Sequence, residues 1–188
     1  PNLVDNGDAD LAIIGENELI EKTLSKKLLK ISTLLKLGFS RCRLSFAIPD
    51  TNKFESLENK KIATSYPNIV QNYLNDNSIN ASVTDIHGSV ELMPHIGISD
   101  CICDLVSSGA TLEANNLKEI ITIMDSEAVL ISNKNISPAK EKLAKKLTNR
   151  IKGVINARES KYVMLNSELK NVDAICKLLP GSESPTII

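Results

Sequence analysis

The segment that decides the fold is Asp100-Cys-Ile-Cys-Asp-Leu-Val-Ser-Ser-Gly-Ala-Thr-Leu112, in which an apolar run ends in a small polar turn. The run from Cys101 to Val106 predicts a buried strand, and the residues after Gly109 predict the start of a helix. Such a turn leaves several amide N–H groups without intrahelical partners, and the helix dipole adds partial positive charge. The segment therefore predicts either a phosphate-binding turn or an ordinary capped connection, because this local pattern is common.

The side chains of this turn favour a phosphorylated ribose as its ligand. Gly109 lets the main chain approach an anion closely, and hydroxyl groups come from Ser107, Ser108 and Thr111. Asp104, at the carboxyl end of the strand, can accept hydrogen bonds from sugar hydroxyls beside the phosphate.

Several other kinds of site are excluded by their missing motifs. The chain has no GxxxxGK[ST], GxGxxG or GxSxG, so P-loop, dinucleotide-binding and Ser-nucleophile assignments lack support. Its four cysteines form no CxxC pair. This absence indicates that they pack as small buried apolar residues rather than bind a metal or take part in redox chemistry. His87 and His95 lack a ligand array at metal-site spacing, which favours structural or capping roles.

Strands and helices alternate along the rest of the chain, which predicts an α/β fold with a helix-covered, largely parallel sheet. Strands are predicted over residues 10–14, 41–48, 61–64, 82–86, 101–106, 119–124, 128–131 and 162–165. Helices are predicted over 16–30, 67–74, 89–96, 110–115, 138–155 and 172–179. The Lys-rich stretch within 16–30 is equally compatible with a loop that contains one helical turn.

The polar, turn-rich segment 50–59 predicts a crossing between two lobes, and a second crossing is expected after Asp125. Two crossings would make a hinge. We therefore expect residues 1–48 in a first lobe, residues 49–125 in a second lobe that carries the Ser-Ser-Gly turn, and residues 126–188 as the segment that returns to the first lobe.

Charge and composition exclude several partners. The chain has 188 residues, with 22 Lys plus Arg against 23 Asp plus Glu, and its net charge is −1. No overall positive field attracts nucleic acid or anionic lipid, and 3% aromatic residues provide few base-stacking platforms. No apolar run approaches the roughly 20 residues of a membrane helix, and no secretion leader is visible. We expect no nucleic-acid or membrane partner and a cytoplasmic location.

The stretch Glu91-Leu-Met-Pro-His-Ile-Gly-Ile-Ser-Asp-Cys-Ile-Cys-Asp-Leu-Val-Ser-Ser-Gly-Ala-Thr-Leu112 closely resembles the signature of ATP phosphoribosyltransferase, the first enzyme of histidine biosynthesis. Five further blocks support the resemblance and extend it over nearly the whole chain: Asp8 to Asn17, Lys61 to Pro67, His87 to Glu91, Ala157 to Leu165, and Leu179 to Ile187. The sequences of these blocks are more similar to the long form of the family, which carries a C-terminal histidine-sensing domain, than to the short form.

The resemblance implies transfer of the phosphoribosyl group of phosphoribosyl pyrophosphate to N1 of the ATP adenine, with release of pyrophosphate and a requirement for Mg2+. It implies a two-lobed, type II periplasmic-binding-protein-like fold with mixed, largely parallel sheets and the site in the cleft. In such a fold, the lobe of residues 49–125 binds phosphoribosyl pyrophosphate. ATP and phosphoribosyl pyrophosphate are the expected partners, and the complete protein is expected to be a homo-oligomer, a dimer or hexamer. We also expect truncation at both ends, with a Lys/Arg-bearing strand before Pro1 and the regulatory domain after Ile188.

The resemblance also assigns site residues. Asp104 and Glu91 are the expected catalytic carboxylates, with a helix-capping role as the alternative for Glu91. The expected phosphoribosyl-pyrophosphate contacts are Asp104, Val106, Ser107, Ser108, Gly109, Ala110 and Thr111. The expected nucleotide or pyrophosphate contacts are Gly15, Glu16, Asn17, Arg43, Ser65 and Tyr66, where Arg43 and Tyr66 have structural roles as alternatives. The metal ligands stay unassigned. A non-enzymatic two-lobed domain that binds a small anion or effector is the alternative function.

Overall fold

Two sheets with helices packed on both faces organise most of the chain in the computed structural model, which describes residues 1–25, 30–159, 161 and 163–180. The strands are β1 (Leu11–Gly15), β2 (Ile31–Lys36), β3 (Cys42–Pro49), β4 (Lys61–Thr64), β5 (Ser82–Asp85), β6 (Cys101–Val106), β7 (Leu117–Ser126) and β8 (Ala128–Asn133). The α-helices are α1 (Asn2–Asn6), α2 (Glu16–Leu24), α3 (Pro67–Asp76), α4 (Ala110–Ala114), α5 (Pro138–Glu159) and α6 (Val172–Leu178). Short 3-10 helices span Val90–Leu92 and Leu169–Asn171.

The first lobe is built on a three-stranded sheet in which β8 lies between β1 and β2 and is antiparallel to both. Every residue of β8 is buried, because the sheet is covered on both faces. Val129 and Ile131 pack with α1 and α2 on one face, whereas Ala128 and Leu130 pack with α5 on the other. This alternation follows from the two-residue period of a strand.

The second lobe is built on a five-stranded sheet in the order β5-β4-β6-β3-β7. Strand β4 is parallel to β5 and β6, while β3 is antiparallel to β6 and β7. One face packs against α3 through a cluster that includes Phe46, Ile62 and Val70, and the other packs against Leu112 of α4. Because β4, β5, β6 and β7 point the same way, their carboxyl ends lie along one edge of the sheet.

The α/β class with mixed sheets is confirmed, but the expectation of a largely parallel arrangement is wrong for most strand pairs. The alternation of strands and helices correctly indicated a common direction for β4 to β7. One oppositely directed strand is inserted into each sheet, β3 in the second lobe and β8 in the first, so their ladders are antiparallel. Sequence periodicity carries no information about strand direction.

The two crossings between the lobes lie side by side, and the first differs from the expected position. It runs through 37–41, before β3, where Gly38 and Ser40 have positive φ angles of 71° and 52°. The amide of Ala128, just after the second crossing, donates to the carbonyl of Phe39 at 3.0 Å. The polar segment 50–59 instead connects β3 to β4 within one sheet, so residues 42–49 belong with the second lobe rather than the first.

Three other expected elements also differ from the structure. The helix expected over 89–96 is reduced to Val90–Leu92, since Pro94 and Gly97, with φ 74°, interrupt it. The helix expected over 16–30 ends at Leu24, and residues 26–29 lie outside the described residues. No strand forms over 163–165, where the side chains are exposed, and Tyr162 is outside the described residues.

The chain divides into two compact units, Pro1–Ile155 and Asn156–Ile188. The first contains both lobes. The second contains the 3-10 helix Leu169–Asn171 and α6 within its described residues. The return segment expected over 126–188 is thus divided between the units. No helix in the described part of the chain combines the length and apolar character that a membrane span requires.

Candidate active site

The candidate site lies where the carboxyl edges of the two sheets approach each other. In the second lobe, this edge carries the residues that follow β4, β5 and β6. In the first lobe it carries the end of β1, where Gly15 pairs with Ala128 beside the second crossing. Ligands of open α/β sheets bind outside the carboxyl ends of strands.

The Ser-Ser-Gly turn after β6 is open to solvent and is not filled by core side chains. Ser107, Ser108 and Thr111 are exposed, and a Cβ atom added to Gly109 would meet nothing within 4 Å. Gly109 has φ 87° and ψ −5°, a left-handed conformation that glycine adopts without steric cost. Within the described residues, the main-chain N–H groups of Ser108 and Gly109 have no hydrogen-bond partner. Leu112 anchors the following helix in the core below.

Asp104 and Glu91 form a pair of half-buried carboxylates next to this turn. Burial raises the pKa of Asp104, a hydrogen bond from the amide of Leu105 at 2.8 Å partly opposes that rise, and the charge of Glu91 adds to it. Glu91 lies in the 3-10 helix Val90–Leu92, after Ser89 in a left-handed conformation with φ 50°. The expected carboxylates are thus brought together at one edge of the second lobe.

Asn17 and Tyr66 join the two lobes through a buried hydrogen-bond network. The Asn17 amide nitrogen donates to the Tyr66 hydroxyl at 3.0 Å, and its carbonyl oxygen accepts from Ser126 Oγ at 2.9 Å. The Asn17 main-chain N–H donates to the same Ser126 Oγ at 3.1 Å. Burial raises the pKa of Tyr66 to about 12. These polar groups are already used by the protein, which gives both residues a structural role in this state.

Gly15 and Ser65 are held at the same edge by close local contacts. A Cβ atom on Gly15 would lie 2.4 Å from Asn17 Oδ1, so this position requires glycine for the Asn17 network to form. Ser65 Oγ donates to the carbonyl of Ile86 at 2.7 Å, which ties the end of β4 to the end of β5.

The two predicted charged contacts, Glu16 and Arg43, are each paired with an opposite charge. Lys36 Nζ lies 2.8 Å from Glu16 Oε1 and forms a salt bridge with it. Arg43 binds both carboxylate oxygens of Glu119 and donates to the carbonyl of Ser107 at 3.3 Å. Arg43 therefore supports the Ser-Ser-Gly turn by binding the main-chain carbonyl of Ser107. The sequence gives no signal for Lys36 and Glu119, because their pairing depends on elements that only the fold brings together, β2 with α2 and β3 with β7.

Comparisons with known proteins identify the family. The family model described as ATP phosphoribosyltransferase matches residues 1–153. The chain belongs to this family. A second model, described as HisG, C-terminal domain, matches residues 157–188. That match differs from the sequence expectation, which gave these residues to the first lobe and placed a C-terminal domain after Ile188.

Curated relatives agree with the family model. ATP phosphoribosyltransferase of Bacteroides thetaiotaomicron is 46% identical over 191 residues, which cover 100% of this chain and 66% of the relative. That of Azobacteroides pseudotrichonymphae is 47% identical over 190 residues, covering 100% of this chain and 65% of the relative. The chain thus spans slightly less than two thirds of the length of these relatives.

Solved structures support the same fold. The ATP phosphoribosyl transferase (HisG:HisZ) complex from Thermotoga maritima contains a chain with TM-score 0.71 and 26% identity, covering 84% of this chain and 75% of that one. The GluR0 ligand-binding core with L-glutamate matches with TM-score 0.56 and 15% identity over 83% and 71% of the two chains, which shows the fold alone. The expected family and its periplasmic-binding-protein-like α/β fold are confirmed.

Proposed function

We propose that the protein transfers the phosphoribosyl group of phosphoribosyl pyrophosphate to N1 of the ATP adenine and releases pyrophosphate, the first step of histidine biosynthesis. The observation that carries this proposal is the open Ser-Ser-Gly turn beside Asp104, in a chain of this family. The turn offers unpaired amides to a phosphate and the adjacent carboxylate offers acceptors to a sugar, which together fit a ribose phosphate.

The proposed mechanism relies on positioning and electrostatics. Positive charge develops at the anomeric carbon of the ribose, and negative charge develops on the leaving pyrophosphate. The amides of Ser108 and Gly109 hold the 5-phosphate, with Val106, Ser107, Ala110 and Thr111 completing the turn. Asp104 orients the ribose through a hydroxyl group, and the negative charges of Asp104 and Glu91 favour the developing positive charge. A protein nucleophile is not required, since the bound geometry itself lowers the barrier.

Mg2+ fits the donor set that these residues provide. In the described part of the chain, no group of three or more His, Cys, Asp or Glu side chains is placed to hold a metal ion by itself. Mg2+ is commonly held by one or two carboxylates together with substrate phosphates, and Glu91 and Asp104 supply two neighbouring carboxylates. The ion would neutralise charge on the pyrophosphate.

The nucleotide side of the cleft is proposed to use Gly15, Glu16, Asn17, Ser65 and Tyr66. Arg43 is proposed to support the turn through the Ser107 carbonyl and its pairing with Glu119. Its expected contact with nucleotide or pyrophosphate stays a prediction. We also propose that the complete protein works in the cytoplasm as a homo-oligomer, a dimer or hexamer.

The substitution Asp104→Asn tests the ribose role. It keeps the size of the side chain and an acceptor for the Leu105 amide, but it removes the charge and one strong acceptor. We expect the affinity of the intact protein for phosphoribosyl pyrophosphate with Mg2+ to fall at least about tenfold in calorimetry, since a hydrogen bond to a charged group contributes about 1.5–3 kcal/mol.

The matched control is Asp76→Asn, which removes a carboxylate from the exposed carboxyl end of α3 and should leave this affinity unchanged. Unchanged affinity in Asp104→Asn would overturn the ribose role. Absorbance of the N1-ribosylated product, measured with ATP present, tests the reaction itself. Tight binding of phosphoribosyl pyrophosphate without any product would favour the non-enzymatic binding domain.

A further inference from the structure

The N-terminus of α3 is capped by a side chain from the other lobe. The N-cap residue of this helix, Tyr66, makes no side-chain capping hydrogen bond, and the first turn contains no acidic residue. Glu21 of α2 supplies the missing acceptor. Its carboxylate accepts from the main-chain N–H groups of Asn68 at 3.0 Å and Ile69 at 2.9 Å, and from the Asn68 side-chain amide at 2.5 Å.

These contacts are of a kind that contributes strongly to stability. Glu21 is only 5% exposed, so its charge is balanced by the hydrogen bonds and by the partial positive charge of the helix end. If the carboxylate moves away, the partly buried N–H of Asn68 and the buried N–H of Ile69 lose their acceptor. Separation of α2 from α3 therefore has a direct energetic cost.

Glu21 belongs to one face of α2 that contacts the second lobe. Asn17 lies one turn earlier on this face and donates to the Tyr66 hydroxyl. Ile20, between them, packs against the core cluster of the second lobe. Two polar side chains of α2 thus bind the start of α3, and one apolar side chain packs against the core of the second lobe. The residues just before α3, Ser65 and Tyr66, lie at the edge of the cleft.

We propose that Glu21 is a positioning residue that sets the separation of the two lobes, and hence the width of the cleft. The effect on catalysis rests on the proposed function, whereas the effect on lobe separation does not. A cap within one lobe would survive any lobe movement. This cap, made between residues 47 and 48 positions apart on different lobes, breaks when the lobes separate.

The first experiment measures the distance between the lobes. Nitroxide labels on Lys146→Cys in α5 and Gln71→Cys in α3 report this distance by pulsed electron spin resonance. Cys42 and Cys176 are replaced by serine, because they are the half-buried cysteines, and labelled protein is diluted with unlabelled protein to suppress distances between subunits.

We expect Glu21→Ala to broaden the distance distribution and shift it to longer values by several ångström. Glu21→Gln keeps one acceptor oxygen and the size of the side chain, so its distribution should lie between those of the wild type and Glu21→Ala. Asp76→Asn, a carboxylate removed from the opposite end of the same helix, should match the wild type. A Glu21→Ala distribution identical to the wild type would overturn the proposal. If the alanine variant does not fold, an unchanged distribution in Glu21→Gln would overturn it instead.

The second experiment measures kinetics in the same variants. A wider cleft should raise KM for both substrates and lower kcat/KM about tenfold or more in Glu21→Ala, with partial recovery in Glu21→Gln. If the wild type forms no product, the proposed reaction fails, but the distance measurement still tests Glu21. If the distance changes while KM and kcat stay at wild-type values, Glu21 holds the lobes without positioning the substrates, and the catalytic part of the proposal is overturned.

Discussion

Ser99 shows how a single buried hydroxyl can oppose stability. It precedes β6 and is only 8% exposed, and its Oγ has no hydrogen-bond partner among the described residues. A buried hydroxyl without a partner pays its desolvation cost without compensation. We expect Ser99→Ala to leave the free energy of unfolding unchanged or to raise it by about 1 kcal/mol, as measured by urea denaturation.

Ser132 provides the matched control for this prediction. It is also buried, at 3% exposure, but its Oγ lies 3.0 Å from Ser32 Oγ across the first-lobe sheet. Ser132→Ala should lower the free energy of unfolding by about 1 kcal/mol, because a satisfied hydrogen bond is removed. Equal losses of stability in both variants would show that Ser99 has a partner after all.

At the scale of elements, the ion pair between β3 and β7, Arg43 with Glu119, contributes to stability in a pH-dependent way. Hydrogen bonds from Arg43 lower the pKa of Glu119 from 4.5 to about 2. Because the pKa is lower in the folded state, this pair stabilises the protein above pH 4.5, and the contribution is lost as the pH falls from 4.5 towards 2.

Glu119→Gln should therefore reduce stability at neutral pH and flatten the decline in urea midpoint between about pH 4.5 and 2. The pair is partly exposed, with side-chain accessibilities of 35% and 26%, so solvent screening keeps the effect small. Glu141→Gln, which removes a surface pair with Lys145 on α5, is the control and should retain the wild-type decline. A parallel decline in Glu119→Gln and the wild type would contradict the assignment.

Local sequence predicted most of the elements, and the turn after β6, because each depends on neighbouring residues; it did not predict α1 or β2. The run from Cys101 to Leu112 contains the whole strand, turn and helix start, so its structure follows from its own periodicity. The crossing at 37–41 was missed because it is shorter and less polar than the segment 50–59, which has the composition of a linker. The direction of β3 was missed because pairing with β6 and β7 is decided by tertiary packing.

The same distinction separates the candidate-site residues that local sequence brings together from those whose contacts depend on distant segments. Asp104 and Gly109 lie within one continuous motif. The partners of Arg43, Asn17 and Glu21 are supplied by strands and helices many residues away, and no spacing rule along the chain indicates such pairs. The sequence nevertheless predicts that Asn17 and Tyr66 lie at the cleft edge, because both follow the carboxyl end of a strand.

For the whole molecule, chain topology predicts that the lobes differ in their capacity to fold alone. Residues 42–126 contain all five strands of the second sheet and both of its core clusters. The first lobe is discontinuous, since its central strand β8 comes from residues 128–133 while β1 and β2 precede the second lobe. Without β8, strands β1 and β2 have no partner in their sheet and cannot cover a core.

We therefore expect a fragment of residues 42–126 to unfold cooperatively on heating, because it exceeds the roughly 40 residues below which domains usually need covalent or metal support. Extending the fragment to 1–126 should add no ordered sheet, because β8 is still missing, although α2 keeps its contacts with the second lobe. Far-ultraviolet circular dichroism and amide exchange measure both outcomes. If 42–126 shows no cooperative transition while the full chain does, then α2, β8 and the interlobe contacts of Glu21 and Asn17 supply stability that the second sheet lacks, and the second lobe depends on the first.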